Sequence, residues 1–155
     1  MTLAQETETG HPGEDILRLL YCSRVPRFKS TNEIEDDIEI ILRASRAENP
    51  HFGVTGVLVT NKRMFSQVIE GPPRLIKDLI GHISCDVRHE HMKIIGFHKS
   101  DKRIFREWSM AFLATNRDLE AENYIFPSSD DQSNILAISS FCAAVRSSLI
   151  DKRLY

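Results

Sequence analysis

The sequence is poor in the groups that build metal sites, disulfide scaffolds or membrane spans. Only three cysteines, Cys22, Cys85 and Cys142, stand among 155 residues. Their odd number and wide spacing predict free thiols in a reducing cytoplasm and argue against a disulfide framework. No two have the short spacing of a zinc site. His89 and His91 are spaced to share a strand face, but no third ligand follows at a recognisable interval, so no metal is expected. Apolar runs fall far short of the ~20 residues of a membrane helix. The N-terminus has no cationic start followed by an apolar core, so it is not a secretory signal. No basic stretch is long enough to track a phosphate backbone, and the net charge is −2, so neither nucleic acid nor membrane is an expected partner. Lys102, Arg103 and Arg106 read as a solvated face. Gly53-Val54-Thr55-Gly56 lacks the lysine and spacing of a phosphate loop. Internal repeats and low-complexity tracts are absent.

What is present is ordinary globular material: 41% apolar and 27% charged residues, enough for one domain with a real core. Residues 1–13 are polar and carry Gly10, Pro12 and Gly13, and read as a flexible leader. Ile16 to Ser23 reads as a strand on which Leu17, Leu19, Tyr21 and Ser23 share a face. A loop over 24–30 follows. Ser30 with Glu33 fits a capping box. Apolar residues at helical spacing (Ile34, Ile38, Ile41, Leu42) then predict a helix from about Thr31 to Ala47. Pro50 disfavours helical geometry at Asn49, which should end it. Val54–Thr60 and Met64–Glu70 read as a hairpin, with Phe65, Gln67 and Ile69 on one face. Pro72 and Pro73 open a second helix with a stripe of Leu75, Ile76, Leu79, Ile80 and Ile83. His91–His98 and Trp108–Ala114 complete the strands, with Trp108, Met110 and Phe112 expected on one face of the last. A further helix is expected near 132–150, where Ile135, Ile138, Cys142, Val145 and Leu149 recur. The order β-α-β-β-α-β-β predicts an α+β, ferredoxin-like sheet with two helices on one face and a C-terminal helical extension over 116–155.

Gln67 interrupts an apolar strand face, and a buried amide without partners costs on the order of 1–3 kcal/mol. Something must satisfy it. A backbone partner or an edge position would suffice, as a satisfied core hydroxyl would for Tyr21. Asn49-Pro50 is a common way to leave a helix, and Ile41, Ile83, Trp108 and Met110 are explained by plain packing. Taken together, however, Tyr21, Asn49, Gln67 and Trp108-Ser109-Met110 are neither a metal-ligand set nor a nucleophile with its base. A phenol, two carboxamides and an indole suit a buried, redox-active heteroaromatic ring. They lie in Leu-Leu-Tyr-Cys-Ser (19–23), Arg-Ala-Glu-Asn-Pro (46–50), Phe-Ser-Gln-Val-Ile-Glu-Gly (65–71) and Glu-Trp-Ser-Met (107–110).

This set resembles the BLUF family of blue-light sensors over roughly residues 15–115, with a loop near 24–30 that looks longer than usual. The resemblance implies a flavin-binding domain over 14–115 holding a non-covalent flavin, FAD in the first place and FMN as the other form. It implies that Tyr21 gives an electron and a proton to the excited flavin, that Gln67 is the hydrogen-bond switch, and that Asn49 binds the ring's carbonyl and imide edge. Ile41 and Ile83 would sandwich the ring. Arg88 and His89, in Asp-Val-Arg-His, match a family segment and would contact the ribityl phosphate tail. Ser23 would face the switch, and Trp108 and Met110 would relay it. Glu48 departs from the asparagine or histidine often found before Asn49. The implied protein turns over no substrate, forms a homo-oligomer and signals to a separate downstream protein. The competing expectation is a chromophore-free, dimeric ferredoxin-like ligand-binding or enzyme domain.

Overall fold

The structure is a computed structural model, and it describes residues 13–114 and 131–152. The expected leader, but for Gly13, and the start of the expected extension, 116–130, lie outside the described residues. Five strands form one sheet in the order β4-β1-β3-β2-β5. They are β1 (Ile16–Arg24), β2 (Thr55–Thr60), β3 (Met64–Gly71), β4 (Glu90–Ser100) and β5 (Ala111–Ala114). The helices are α1 (Thr31–Phe52), α2 (Pro73–Ser84) and α3 (Asp131–Lys152). The first four strands pair antiparallel in ferredoxin-like order, and β5 adds parallel to β2. The α+β expectation holds.

Strand alternation separates two cores. On one face Leu17, Leu19, Tyr21, Phe65 and Ile69 pack with Ile34, Ile38 and Leu42 of α1 and Ile76 of α2. On the other, Leu20, Cys22, Val57, Val68 and Leu113 pack with Ile138, Phe141, Cys142 and Val145 of α3. The C-terminal stripe thus buries on the sheet face opposite α1 and α2. Ile135 of the expected stripe is exposed, and Phe141 takes part in its place. The Leu149 side chain lies outside the described residues.

Two expected element ends move by three residues or more. Helix α1 begins at the expected capping box: Glu33 N–H donates to Ser30 Oγ (3.2 Å) and Ser30 N–H to the Glu33 carboxylate (2.6 Å). It runs on through Pro50 to Phe52. Pro50 forfeits its own backbone hydrogen bond, and only two helical residues follow it. Gly53 supplies the stop, at φ 65° in the left-handed region, with its N–H bonded to the Asn49 carbonyl. Strand β5 starts at Ala111, not Trp108. The residues before it turn: Trp108 N–H bonds back to Phe105 O (3.0 Å), and the Trp108 carbonyl accepts from Gly56 N–H (3.1 Å). Gly56 has no alternative residue, since a Cβ there would lie 2.1 Å from the Val68 carbonyl oxygen.

Below the α3-side core a polar row crosses four strands in register: His98, Arg18, Glu70 and Thr55. Arg18 Nε bonds Glu70 Oε2 (3.1 Å) and Arg18 Nη1 meets His98 Nε2 (3.1 Å). Glu70 is 0% exposed. Its carboxylate also accepts from Thr55 Oγ1 (3.0 Å), Ile104 N–H (3.0 Å) and Phe105 N–H (2.6 Å). The β4–β5 connection is therefore tied to a buried anion. Arginine can only donate, so His98 Nε2 accepts and the ring proton sits on Nδ1, which meets no partner among the described residues. Burial, and then the Arg18 charge, hold His98 below its ordinary value of 6.5.

Two predictions follow from this row. Glu70→Ala leaves a buried guanidinium unpaired, so stability should fall by about 3–5 kcal/mol in denaturant unfolding. Arg18→Met with Glu70→Met should recover only part, because Ile104 and Phe105 N–H remain unmet. A Glu70→Ala loss under about 1 kcal/mol, the size of an ordinary surface substitution, would exclude the clamp. The depressed His98 value sets the acid side. Below 6.5 the unfolded chain takes up a proton that the folded chain refuses, so stability present above that value is lost as pH falls. His98→Gln should flatten this acid limb in thermal unfolding against pH, and an unchanged limb would assign it to another group.

Candidate functional site

A cleft of about 240 Å³ lies between α1, α2 and the sheet. Its apolar walls include Ile41, Leu58, Phe65, Leu79 and Ile83, and its polar wall includes Tyr21, Asn49, Gln67, Arg88 and His89. Ala44 and Ser45, one helical turn beyond Ile41, are small and leave space where α1 would otherwise fill it. A flat, largely apolar ring with one hydrogen-bonding edge matches this lining.

Tyr21 and Gln67 are register partners on β1 and β3, with side chains on the helix side of the sheet. The Tyr21 hydroxyl donates to Gln67 Oε1. Gln67 Nε2 donates to Met110 Sδ (3.3 Å). An amide carries two N–H donors and two oxygen lone pairs. Among the described residues these bonds use one of each, which leaves Gln67 one donor and one acceptor at the cleft wall. Burial, and secondarily the Asp86 carboxylate, push the Tyr21 phenol well above its ordinary value of 10.0. Tyr21 is a neutral donor throughout the neutral range.

Asn49 is buried in the last turn of α1. Its Nδ2 donates to the Ser109 carbonyl (2.6 Å), and Arg46 Nε donates to the Met110 carbonyl (3.1 Å). With Gly56 N–H on the Trp108 carbonyl, three successive carbonyls are held, and Gln67 holds the Met110 sulfur. The expectation that Trp108 and Met110 share a face is wrong. Alternation applies only within a strand, and residues 108–110 precede β5. Met110 is 3% exposed on the cleft side. Trp108 is 36% exposed and lies against Phe105, whose ring centroid is 6.0 Å away, in the α3-side core. Met110 and Phe112 are the pair that share a face.

His89 stands as a pillar between β1 and α2. Its Nε2 faces the Ile83 carbonyl (2.6 Å) and its Nδ1 the Ser23 hydroxyl (2.7 Å). A carbonyl only accepts, so Nε2 carries a proton. The His89 ring meets Tyr21 edge-on, centroids 6.2 Å apart at 70°. Ser23 therefore faces the same side as Tyr21, but its partner is His89. Arg88 lines the cleft and pairs with Asp86 through Nη1 (2.9 Å). Ile41 of α1 and Ile83 of α2 both line the cleft. Arg46 and Glu70 escaped the sequence reading, because an arginine on a charged helix and a glutamate closing a strand carry no periodic signal.

The fold and the site define a small α+β sensor-type domain, with a ligand cleft between two helices and a hydrogen-bonded phenol–amide pair on its floor. Residues 16–111 match the BLUF family, sensors of blue-light using FAD, and the chain belongs to that family. It is similar to the photoactivated adenylate cyclase subunit beta of Euglena gracilis, 31% identical over 99 residues, which are 62% of this chain and 11% of that protein. The chain spans about a tenth of the length of such relatives. Among solved structures it resembles the dark state of the BLUF protein BlrB, at 28% identity and TM-score 0.65, covering 86% of this chain and 98% of that one. It also resembles photo-activated BlsA, at 25% identity and TM-score 0.65, covering 82% and 94%. The chain is accordingly a blue-light-sensing, flavin-binding domain. No helix among the described residues is long and apolar enough to cross a membrane.

The raised Tyr21 value gives a test that needs no light. Above 10.0 the unfolded chain sheds the phenolic proton that the folded chain keeps, so stability falls as pH climbs past that value and is undiminished below it. Tyr21→Phe should remove this part of the alkaline loss in thermal melts from neutral to strongly alkaline pH. An identical alkaline slope would show that Tyr21 is not the protected phenol.

Proposed function

We propose that the chain senses blue light by exchanging the donor and acceptor ends of the Gln67 amide, turns over no substrate, and passes the change to a separate partner protein. The Tyr21–Gln67–Met110 hydrogen-bond chain on the cleft floor carries this reading. The cofactor expected is FAD, the form named for the family, held between Ile41 and Ile83 with its polar edge toward Asn49 and Gln67. When bound, a flavin supplies the blue-light absorption and, once excited, a strong oxidant.

The protein's part follows from its own groups. Tyr21 is neutral, so it can lose both an electron and the Oη proton. Gln67 Oε1, already accepting that proton, is the atom placed to receive it. Once Tyr21 stops donating, only the Nε2–Met110 contact holds the amide in its dark orientation. With the electron and the proton returned to Tyr21, the turned amide presents Nε2 to the phenol oxygen and Oε1 to Met110. A thioether sulfur can only accept, so the Met110 contact is lost. The change then leaves the site through residues 108–110, which contact both the α1 end and the α3-side core. A chromophore-free dimeric domain would need neither the two helices held apart nor the unused amide donor.

Difference spectra of the purified, flavin-loaded protein test this. Blue light should shift the flavin band to the red, with recovery in darkness. Gln67→Leu should bind flavin and show no shift, and Tyr21→Phe should load normally and form no long-lived shifted state. Trp108→Phe should stay photoactive with altered recovery. A normal shift in Gln67→Leu would refute the switch, and a dark Trp108→Phe beside a normal Tyr21→Phe would reverse the donor assignment.

A further inference from the structure

We propose that a second, basic cleft at the rim of the sheet binds a phosphorylated small molecule, separately from the cleft between α1 and α2. It lies between the 24–30 loop, the β2–β3 turn and the start of β4, with a volume of about 720 Å³. Small-molecule sites run to about 300–1,000 Å³. Arg24, Arg27, Lys29, Lys62 and Arg63 line it against one carboxylate, Glu90, although the chain as a whole is net negative. Lys29 is paired with Asp37. The other four cations form no ion pair among the described residues. Like charges gathered in one concavity repel one another and focus a positive potential on it. An anion relieves that repulsion. The floor is apolar, with Val25 and Ile34 buried and Met64 beside them, so it can seat a ring or sugar while the rim holds phosphate.

The cleft is held open by its frame. Val25 N–H bonds the Arg63 carbonyl (2.9 Å), tying the loop to the turn. Asn61 Oδ1 accepts from Arg63 and Met64 N–H (2.9 and 2.8 Å), fixing the turn itself. In β4 a bulge sets Glu90 opposite Arg24 and Lys93 opposite Cys22, and His91 in that bulge lines the cleft at φ 52°. Bulges re-aim side chains in this way. Two walls are one residue from the flavin-side cleft: Met64 precedes Phe65, and Glu90 follows His89. Five cations converge on one cleft, which favours a small molecule over a nucleic-acid strand.

The test is titration calorimetry and thermal unfolding of the full chain, loaded with riboflavin or with FAD, using sodium tripolyphosphate and ATP as probes at matched ionic strength. Saturable binding by both loaded forms is expected, weakening as salt rises. Arg24→Gln with Arg63→Gln should weaken it about tenfold or more, leaving the light–dark spectrum unchanged. The Val25–Arg63 bond is a backbone bond, so this variant keeps the frame. No saturable binding, or equal binding by the double variant, overturns the proposal. Binding to the riboflavin form alone would make the cofactor's own diphosphate the occupant and overturn it. Binding of a polyglutamate peptide but of neither phosphate probe would assign the cleft to an acidic protein segment and overturn it too. None of the binding outcomes depends on photochemistry.

Discussion

The geometry of the site depends on a residue outside it. Glu70 is a fully buried carboxylate whose four donors come from β1, β2 and the β4–β5 connection. Burying an ion costs several kcal/mol unless its lone pairs are filled. The chain fills them by drawing Ile104 and Phe105 N–H under the sheet. That fold-back brings Trp108 alongside Gly56, and β5 then pairs with β2 from Ala111. Met110, one residue earlier, arrives against Gln67. Gln67 and Glu70 lie three apart on the same strand, so their side chains point to opposite faces. One strand thus offers an amide to the cleft and anchors, from behind, the segment that the amide holds.

The sheet's parity does the sorting. Odd-numbered residues of β1 and β3 build the cleft floor with α1 and α2, and even-numbered residues build the core under α3. A polar side chain on either face must find a partner there, and each does so within a strand or two of itself. Tyr21 finds Gln67 directly across the ladder, and Ser23 finds His89. Arg18 finds Glu70 on one side and His98 on the other. The floor of the cleft is therefore preorganised by strand register, without help from long loops.

Most of this was legible in the sequence, because parity and helical period are local. The strand faces, the capping box and the apolar faces of α1 and α2 all follow from spacing. The resemblance to the family then picked out Tyr21, Asn49 and Gln67 from among residues with ordinary explanations. The failures lie where a long-range bond overrides a local rule. Pro50 argued for an early helix end, yet Gly53 and the Asn49 carbonyl carry the helix to Phe52. Alternation argued for Trp108 beside Met110, yet the Phe105 and Gly56 bonds make a turn of residues 105–108. No local pattern announces that Glu70 will capture two backbone N–H groups more than thirty residues away.

The same bonds limit how far a change at Gln67 can travel. The proposed amide exchange removes one N–H···S contact, and a neutral hydrogen bond contributes about 0.5–1.5 kcal/mol net. That is enough to shift a two-state segment by at most about tenfold. It cannot compete with the charge-assisted bonds that Glu70 makes to Arg18 and the 104–105 backbone. The displaced segment must therefore hinge beyond Phe105 and move within 106–110, with the neutral Asn49 bond to the Ser109 carbonyl as the next weakest link. Trp108 lies in that stretch, exposed but with its ring against Phe105 of the α3-side core. A small rotation there changes the surface near α3 while the sheet stays fixed, which is the kind of output a partner protein could read from a domain this rigid.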